Sequence, residues 1–115
     1  MKLLEEIGDA YLHEDLMPCQ DKFYVNGPDG ACACPLTALA LYRGIFKCDD
    51  PRLILNQDDG NPVFDWSRQE FGENWTLGFL DGYDYCNRNL FLRKSMDYAV
   101  GYMLGAYLCK IYRSN

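Results

Sequence analysis

Four glycines in two helical segments constrain this chain more than any other feature. In NWTLGFLDGYDYC (residues 74–86) Gly78 and Gly82 stand four apart, and in DYAVGYMLGAYLC (residues 97–109) Gly101 and Gly105 repeat that spacing 23 residues later. A glycine inside a helix costs about 1 kcal/mol relative to alanine, so the four together forfeit roughly 4 kcal/mol. Segments that accept such a penalty need a compensating contact. Glycines on one helix face remove the side chains that hold helices apart, and two backbones can then meet, as on the small-xxx-small faces of membrane helices. Aligned on their glycines, the segments also bring Cys86 into register with Cys109, and Trp75 and Phe79 with Tyr98 and Tyr102. The expectation is a closely packed C-terminal helical hairpin with arms near 74–87 and 95–113, capped by Asn74 and Ser95. Read functionally, the same glycine faces could admit a ligand or a second protomer, so a homodimer belongs among the expectations.

On the last helix Gly101, Gly105, Leu108 and Tyr112 form one stripe, and Val100, Leu104, Tyr107 and Ile111 form a second beside it. Two apolar stripes predict burial on more than one side. In the first arm Asp81 and Asp84 take the positions of Leu104 and Tyr107, which predicts an exposed acidic face there, with Asp84 four residues before Arg88 as a helix ion pair.

Elsewhere the pattern is also mainly helical. Lys2 to about Glu14 places Leu3, Ile7, Ala10 and Tyr11 on one stripe and acidic residues off it. The short run Phe23 to Val25 meets the turn dipeptides Asn26-Gly27 and Asp29-Gly30, predicting a small β-hairpin within residues 23–33. Pro35 suits a helix first turn with Cys34 as its cap, and the apolar run Leu36 to Tyr42 predicts a central helix. A single helical turn or short strand is expected at Leu53 to Leu55, then a turn at Asp58 to Asn61. Asn61-Pro62 opens a helix through Trp66 to Phe71 that Gly72 closes. The fold class expected is mainly α: a four- or five-helix single domain spanning residues 1–115, with the C-terminal pair as its spine and a small β-hairpin.

Charge divides the chain. Residues 1–74 hold six Lys or Arg against fourteen Asp or Glu, while residues 75–115 hold five against three, for a net charge of -6. An acidic front repels nucleic acid and anionic membrane and favours a partner with a basic surface. The charge-free run Tyr98 to Cys109 is twelve residues, against about twenty for a bilayer-spanning helix. The N-terminal stretch alternates apolar and acidic residues and reads as a helix rather than a secretion signal, which points to a cytoplasmic protein and to cysteines kept as thiols or metal ligands.

Chemistry is sparse. Cys19, Cys32, Cys34 and Cys48 could close a tetrahedral zinc site, although their C-x12-C-x-C-x13-C spacing lacks the usual C-x2-C knuckle. Cys34, at a helix N-terminus, is a candidate nucleophile whose only conceivable histidine base is His13. Arg88, Arg93 and Lys94 form a basic cluster, read as a solvated connection. No glycine-rich phosphate loop, nucleophile elbow or HExxH motif occurs. The leading expectation is a small acidic, non-enzymatic binding or regulatory protein, inhibitor-like in its charge balance, meeting its partner through Asp58, Asp59, Asp81 and Asp84. The alternative is a zinc-stabilised or small-molecule-binding module, and the third reading is a thiol enzyme using Cys34.

Overall fold

The computed structural model describes residues 2–28, 30–57, 60–85 and 95–113. Packing divides the chain into two units, Met1–Asp65 and Trp66–Asn115. Among the described residues there are six helices and one three-stranded sheet. None of those helices is long and apolar enough to cross a membrane.

The first unit opens with α1 (Lys2–His13), which buries Ile7, Ala10 and Tyr11 as its stripe requires. Asp15, at φ 54, turns the chain in the left-handed region that Asp tolerates better than most residues. Three strands follow: β1 (Leu16–Pro18), β2 (Tyr24–Gly27) and β3 (Gly30–Ala33). β2 and β3 form the expected hairpin, antiparallel, with Tyr24 opposite Ala33 and Gly27 opposite Gly30. β1 is an addition that local pattern does not announce. It is three residues long, ends in a proline, and pairs parallel to β3 with Met17 opposite Cys32. Pro18 is tolerated because β1 is an edge strand. The Tyr11 hydroxyl donates to the Ala33 carbonyl at 2.6 Å, fastening α1 to the central strand.

α2 (Pro35–Tyr42) begins as its sequence requires, with Cys34 extended at the cap and Pro35 at the first helical position, where a missing N–H costs nothing. Every residue from Pro35 to Leu41 is buried, so this helix is central. Arg43, just past it, reaches back to Glu6 with two hydrogen bonds of 2.8 and 2.9 Å. That guanidinium holds the Glu6 carboxyl below its ordinary range. α3 (Arg52–Leu55) is the single turn expected near Leu53.

Two side chains hold α3 in place. Gln57 Oε1 accepts from the N–H groups of Phe23 (2.7 Å) and Tyr24 (3.1 Å), while its Nε2 donates to the carbonyls of Tyr24, Leu53 and Ile54. Asn61, fully buried, donates to the Leu53 carbonyl at 3.0 Å and accepts from Val63 N–H at 2.9 Å. The second bond caps α4 (Pro62–Phe71), so the Asn-Pro signal works as read.

In the second unit Gly72, at φ 97, separates α4 from α5 (Glu73–Asp84). Gly72 is also the N-cap of α5, with its carbonyl accepting from Thr76 N–H at 3.1 Å. Asn74 therefore lies inside the first turn rather than at the cap. A backbone in the left-handed region favours glycine, and that requirement outweighs the side-chain preference of asparagine for caps. α6 (Met96–Arg113) starts as expected: Ser95 Oγ accepts from Tyr98 N–H at 3.2 Å.

The closely packed C-terminal helix pair is present, and the glycines make it. A Cβ added at Gly78 would lie 2.8 Å from the carbonyl carbon of Tyr98, and one at Gly82 would lie 2.9 Å from Ala106 N. The reciprocal contacts run from Gly101 to Trp75 and Phe79, and from Gly105 to Phe79 and Tyr83. Gly78 faces Tyr98, and Gly82, four residues on, faces Tyr102, also four residues on. The two helices thus run in the same direction along the seam, where a tight hairpin would double back. The 23-residue sequence repeat is expressed as a local two-fold: each contact from α5 to α6 has its image from α6 to α5. Aromatic rings stack along each arm, Trp75 on Phe79 on Tyr83 and Tyr98 on Tyr102.

Candidate functional site

α6 buries one of its two apolar stripes. Gly101, Gly105 and Leu108 are buried, as their place in the seam requires. The second stripe was expected to be buried as well, and only Leu104 is. Val100 is 49% exposed, Tyr107 52% and Ile111 38%, and two methionines join them, Met96 at 77% and Met103 at 63%. At 100° per residue these five side chains form one continuous row roughly opposite the glycine face. No charged residue interrupts it. Asp97 and Lys110, both exposed, stand beside it.

The physical reason is the chemistry of the seam. Helices that meet through glycines approach backbone to backbone, so one narrow face of α6 is consumed by α5 and the opposite face is left uncovered. A row of Met, Val and Tyr has the composition of an interface core, which is rich in methionine and aromatics and poor in charge.

Of the acidic side chains singled out in the sequence, Asp81 and Asp84 are among the described residues. Asp81 is half-buried and accepts a hydrogen bond from the Tyr98 hydroxyl across the seam. Burial and this carboxylate push the Tyr98 hydroxyl well above the ordinary phenol range. The expected contrast, an outward acidic face on α5 against a covered one on α6, is thus corrected. Asp81 and Asp84 are half-buried, whereas Tyr107, the counterpart of Asp84, is exposed. Pairing of Asp81 with an α6 tyrosine could not be foreseen without the direction of the two helices. Beside it Asn74, Leu77, Asp81, Ser95 and Tyr98 line an open cleft of about 280 Å³. Asp58 and Asp59, the other two proposed contacts, lie outside the described residues, as do Cys86, Arg88, Arg93 and Lys94.

Three of the four zinc candidates do converge. The β1–β3 pairing brings Cys19 beside β3, where its N–H donates to the Ala33 carbonyl at 3.2 Å. Burial, reinforced by the neighbouring Cys34 and Cys32, pushes the Cys19 thiol up, so the neutral form is favoured. Cys48 is exposed, and its carbonyl accepts from the Tyr24 hydroxyl at 3.1 Å. Among the described residues no group of three or more His, Cys, Asp or Glu side chains is disposed to hold a metal ion.

Cys34 is 3% exposed, with its Sγ 3.4 Å from Thr37 Oγ1. His13, the conceivable base, sits at the surface with Nδ1 2.7 Å from Glu14 and its ring edge-on to Tyr42. Neither arrangement resembles a thiol poised beside a base.

Known proteins add nothing to this geometry. No protein-family model, curated protein or solved structure matches the chain.

Proposed function

We propose that this chain is a non-enzymatic binding protein of regulatory character that acts through protein–protein contact. The observation behind this reading is the uncovered row on α6, a face of interface-core composition running the length of an 18-residue helix. A monomer gains nothing from presenting two methionines and a tyrosine in line to water. The acidic front supplies the second half of the reading. Glu5, Asp9, Asp15, Asp21 and Asp49 are all exposed in the first unit. With Asp58, Asp59 and Asp84, they are proposed to steer a partner with a basic surface. Nucleic acid and anionic membrane carry the wrong charge for such a field.

The test is capture from the cytoplasm of the source cell on the immobilised full chain. A specific protein is expected, held more weakly as ionic strength rises, because exposed charges are screened beyond a Debye length of about 8 Å at physiological salt. A captured partner indifferent to salt would remove the acidic steering. Elemental analysis tests the alternative: one zinc per chain in the purified protein would replace this reading with a metal-stabilised module, for which the sequence offers Cys19, Cys32, Cys34 and Cys48.

A further inference from the structure

We infer that the exposed row of α6 pairs, antiparallel and about a two-fold axis between Met103 and Leu104, with α6 of a second copy of this chain. The inference rests on reading that row as a protein-contact face and names its occupant.

Three observations select a second copy. The first is self-complementarity. With the axis between Met103 and Leu104, Met96 falls opposite Ile111 of the second copy and Val100 opposite its Tyr107, so the smallest residue of the row meets the largest. A parallel pairing would instead set Tyr107 on Tyr107 and Val100 on Val100, leaving one level crowded and the other hollow. Antiparallel helices also place opposite dipole ends together.

The second observation is area. From their fractional exposures the five side chains offer at most about 500 Å² per copy, so a symmetric pair buries up to about 1,000 Å², the threshold for a specific interface. The row extends over about 22 Å of helix, from Met96 to Ile111. Ala99 and Ala106, half-buried at its edge, allow the helices to approach closely.

The third is charge. The acidic excess lies in residues 1–74, and Asp97, Lys110 and Arg113 are the only charged residues of α6. Two α6 helices therefore meet without the repulsion that would oppose contact between two acidic fronts.

Sedimentation equilibrium of the full chain is the test. The parent should be a dimer with a dissociation constant of roughly 1–100 μM, the weak end expected of an interface this small. Met103→Glu places two carboxylates beside the axis and should weaken pairing by at least about tenfold. Helicity by circular dichroism should be unchanged, since Met103 is exposed. Leu12→Glu, at a residue 84% exposed in α1, should leave the dimer intact. Orientation is read by charge exchange: Val100→Glu alone should give monomer, and the Val100→Glu, Tyr107→Lys double variant should restore the dimer. A parent that stays monomeric to millimolar concentration overturns self-pairing, as does a dimer indifferent to Met103→Glu. A double variant that remains monomeric overturns the antiparallel register. The underlying contact-face reading is judged separately. If the parent is monomeric yet Met103→Glu abolishes capture of a cellular protein, the face stands and only its occupant was misassigned. If neither measurement responds to Met103→Glu, the face itself falls.

Discussion

A methyl group added at Gly8 in α1 would meet no heavy atom within 4 Å, whereas at Gly105 in α6 it would lie 2.9 Å from the backbone nitrogen of Tyr83. The same residue type, inside helices in both cases, thus serves opposite circumstances. In the first unit helices and strands are joined by side chains that reach for backbone: Tyr11 to Ala33, Gln57 to β2 and α3, Asn61 to Leu53. In the α5–α6 pair the joint is made by removing side chains until backbones touch. The comparison teaches that tolerance to substitution follows what the neighbour is made of. A side chain can rotate away from an intruding atom, and a helix backbone cannot without unwinding.

The comparison breaks most visibly at the seam. Gly105→Leu should cost about 3 kcal/mol or more, the upper end for overpacking, because the obstructing atoms are backbone. Gly82→Leu should behave alike, and thermal melting checks both. A melting temperature above the parent's would show that the propensity gain of leucine dominates and that the seam has room.

A smaller loss is expected in the first unit. Asn61→Ala removes a cap and strands the buried Val63 N–H, for about 2 kcal/mol by chemical denaturation. A loss much below that would mean water replaces the amide and the junction is less dry than its burial implies.

Tyr98→Phe tests a polar joint across the seam and should cost about 1 kcal/mol at neutral pH. It also carries a pH signature. The hydroxyl is raised above its ordinary value in the folded state, so its contribution is complete below about pH 10 and lost as pH climbs beyond. Denaturation midpoints of Tyr98→Phe should therefore fall less steeply than the parent's above that pH. Equal slopes would assign the alkaline loss to other raised groups, Cys19 among them.

Gly8→Ala sharpens the contrast from the other side. It should stabilise by somewhat under about 1 kcal/mol, the helix-propensity gain with no steric term against it. A destabilised Gly8→Ala would mean that α1 has a close neighbour the geometry does not reveal.

Much of this architecture could be read from residue order because it is set within a few residues. The α1 stripe, the β2–β3 hairpin, Cys34-Pro35 and Asn61-Pro62 as helix starts, and Ser95 as a cap depend on spacing, turn chemistry and orphan N–H groups. The four glycines likewise announced a close helix contact, since nothing local compensates their penalty. Of the candidate site, the second stripe of α6 was legible as apolar, while its exposure was not. Whether an apolar face is covered depends on which other element arrives there.

Tertiary structure alone decided the rest. The parallel sense of α5 and α6 is seen only in which glycine meets which backbone across the seam, and a glycine spacing of four suits either direction. That sense brings Tyr98 to Asp81 and turns a sequence repeat into a local two-fold. β1 exists because β3 offers an open edge, since three residues ending in Pro18 have too little propensity to form a strand unaided. Gly72 displaced Asn74 as the cap of α5 because the turn from α4 needs a positive φ. Each of these outcomes depends on contacts between residues far apart in the chain. Sequence spacing encodes which faces are apolar and where helices begin, and only the folded backbone determines which of those faces meet.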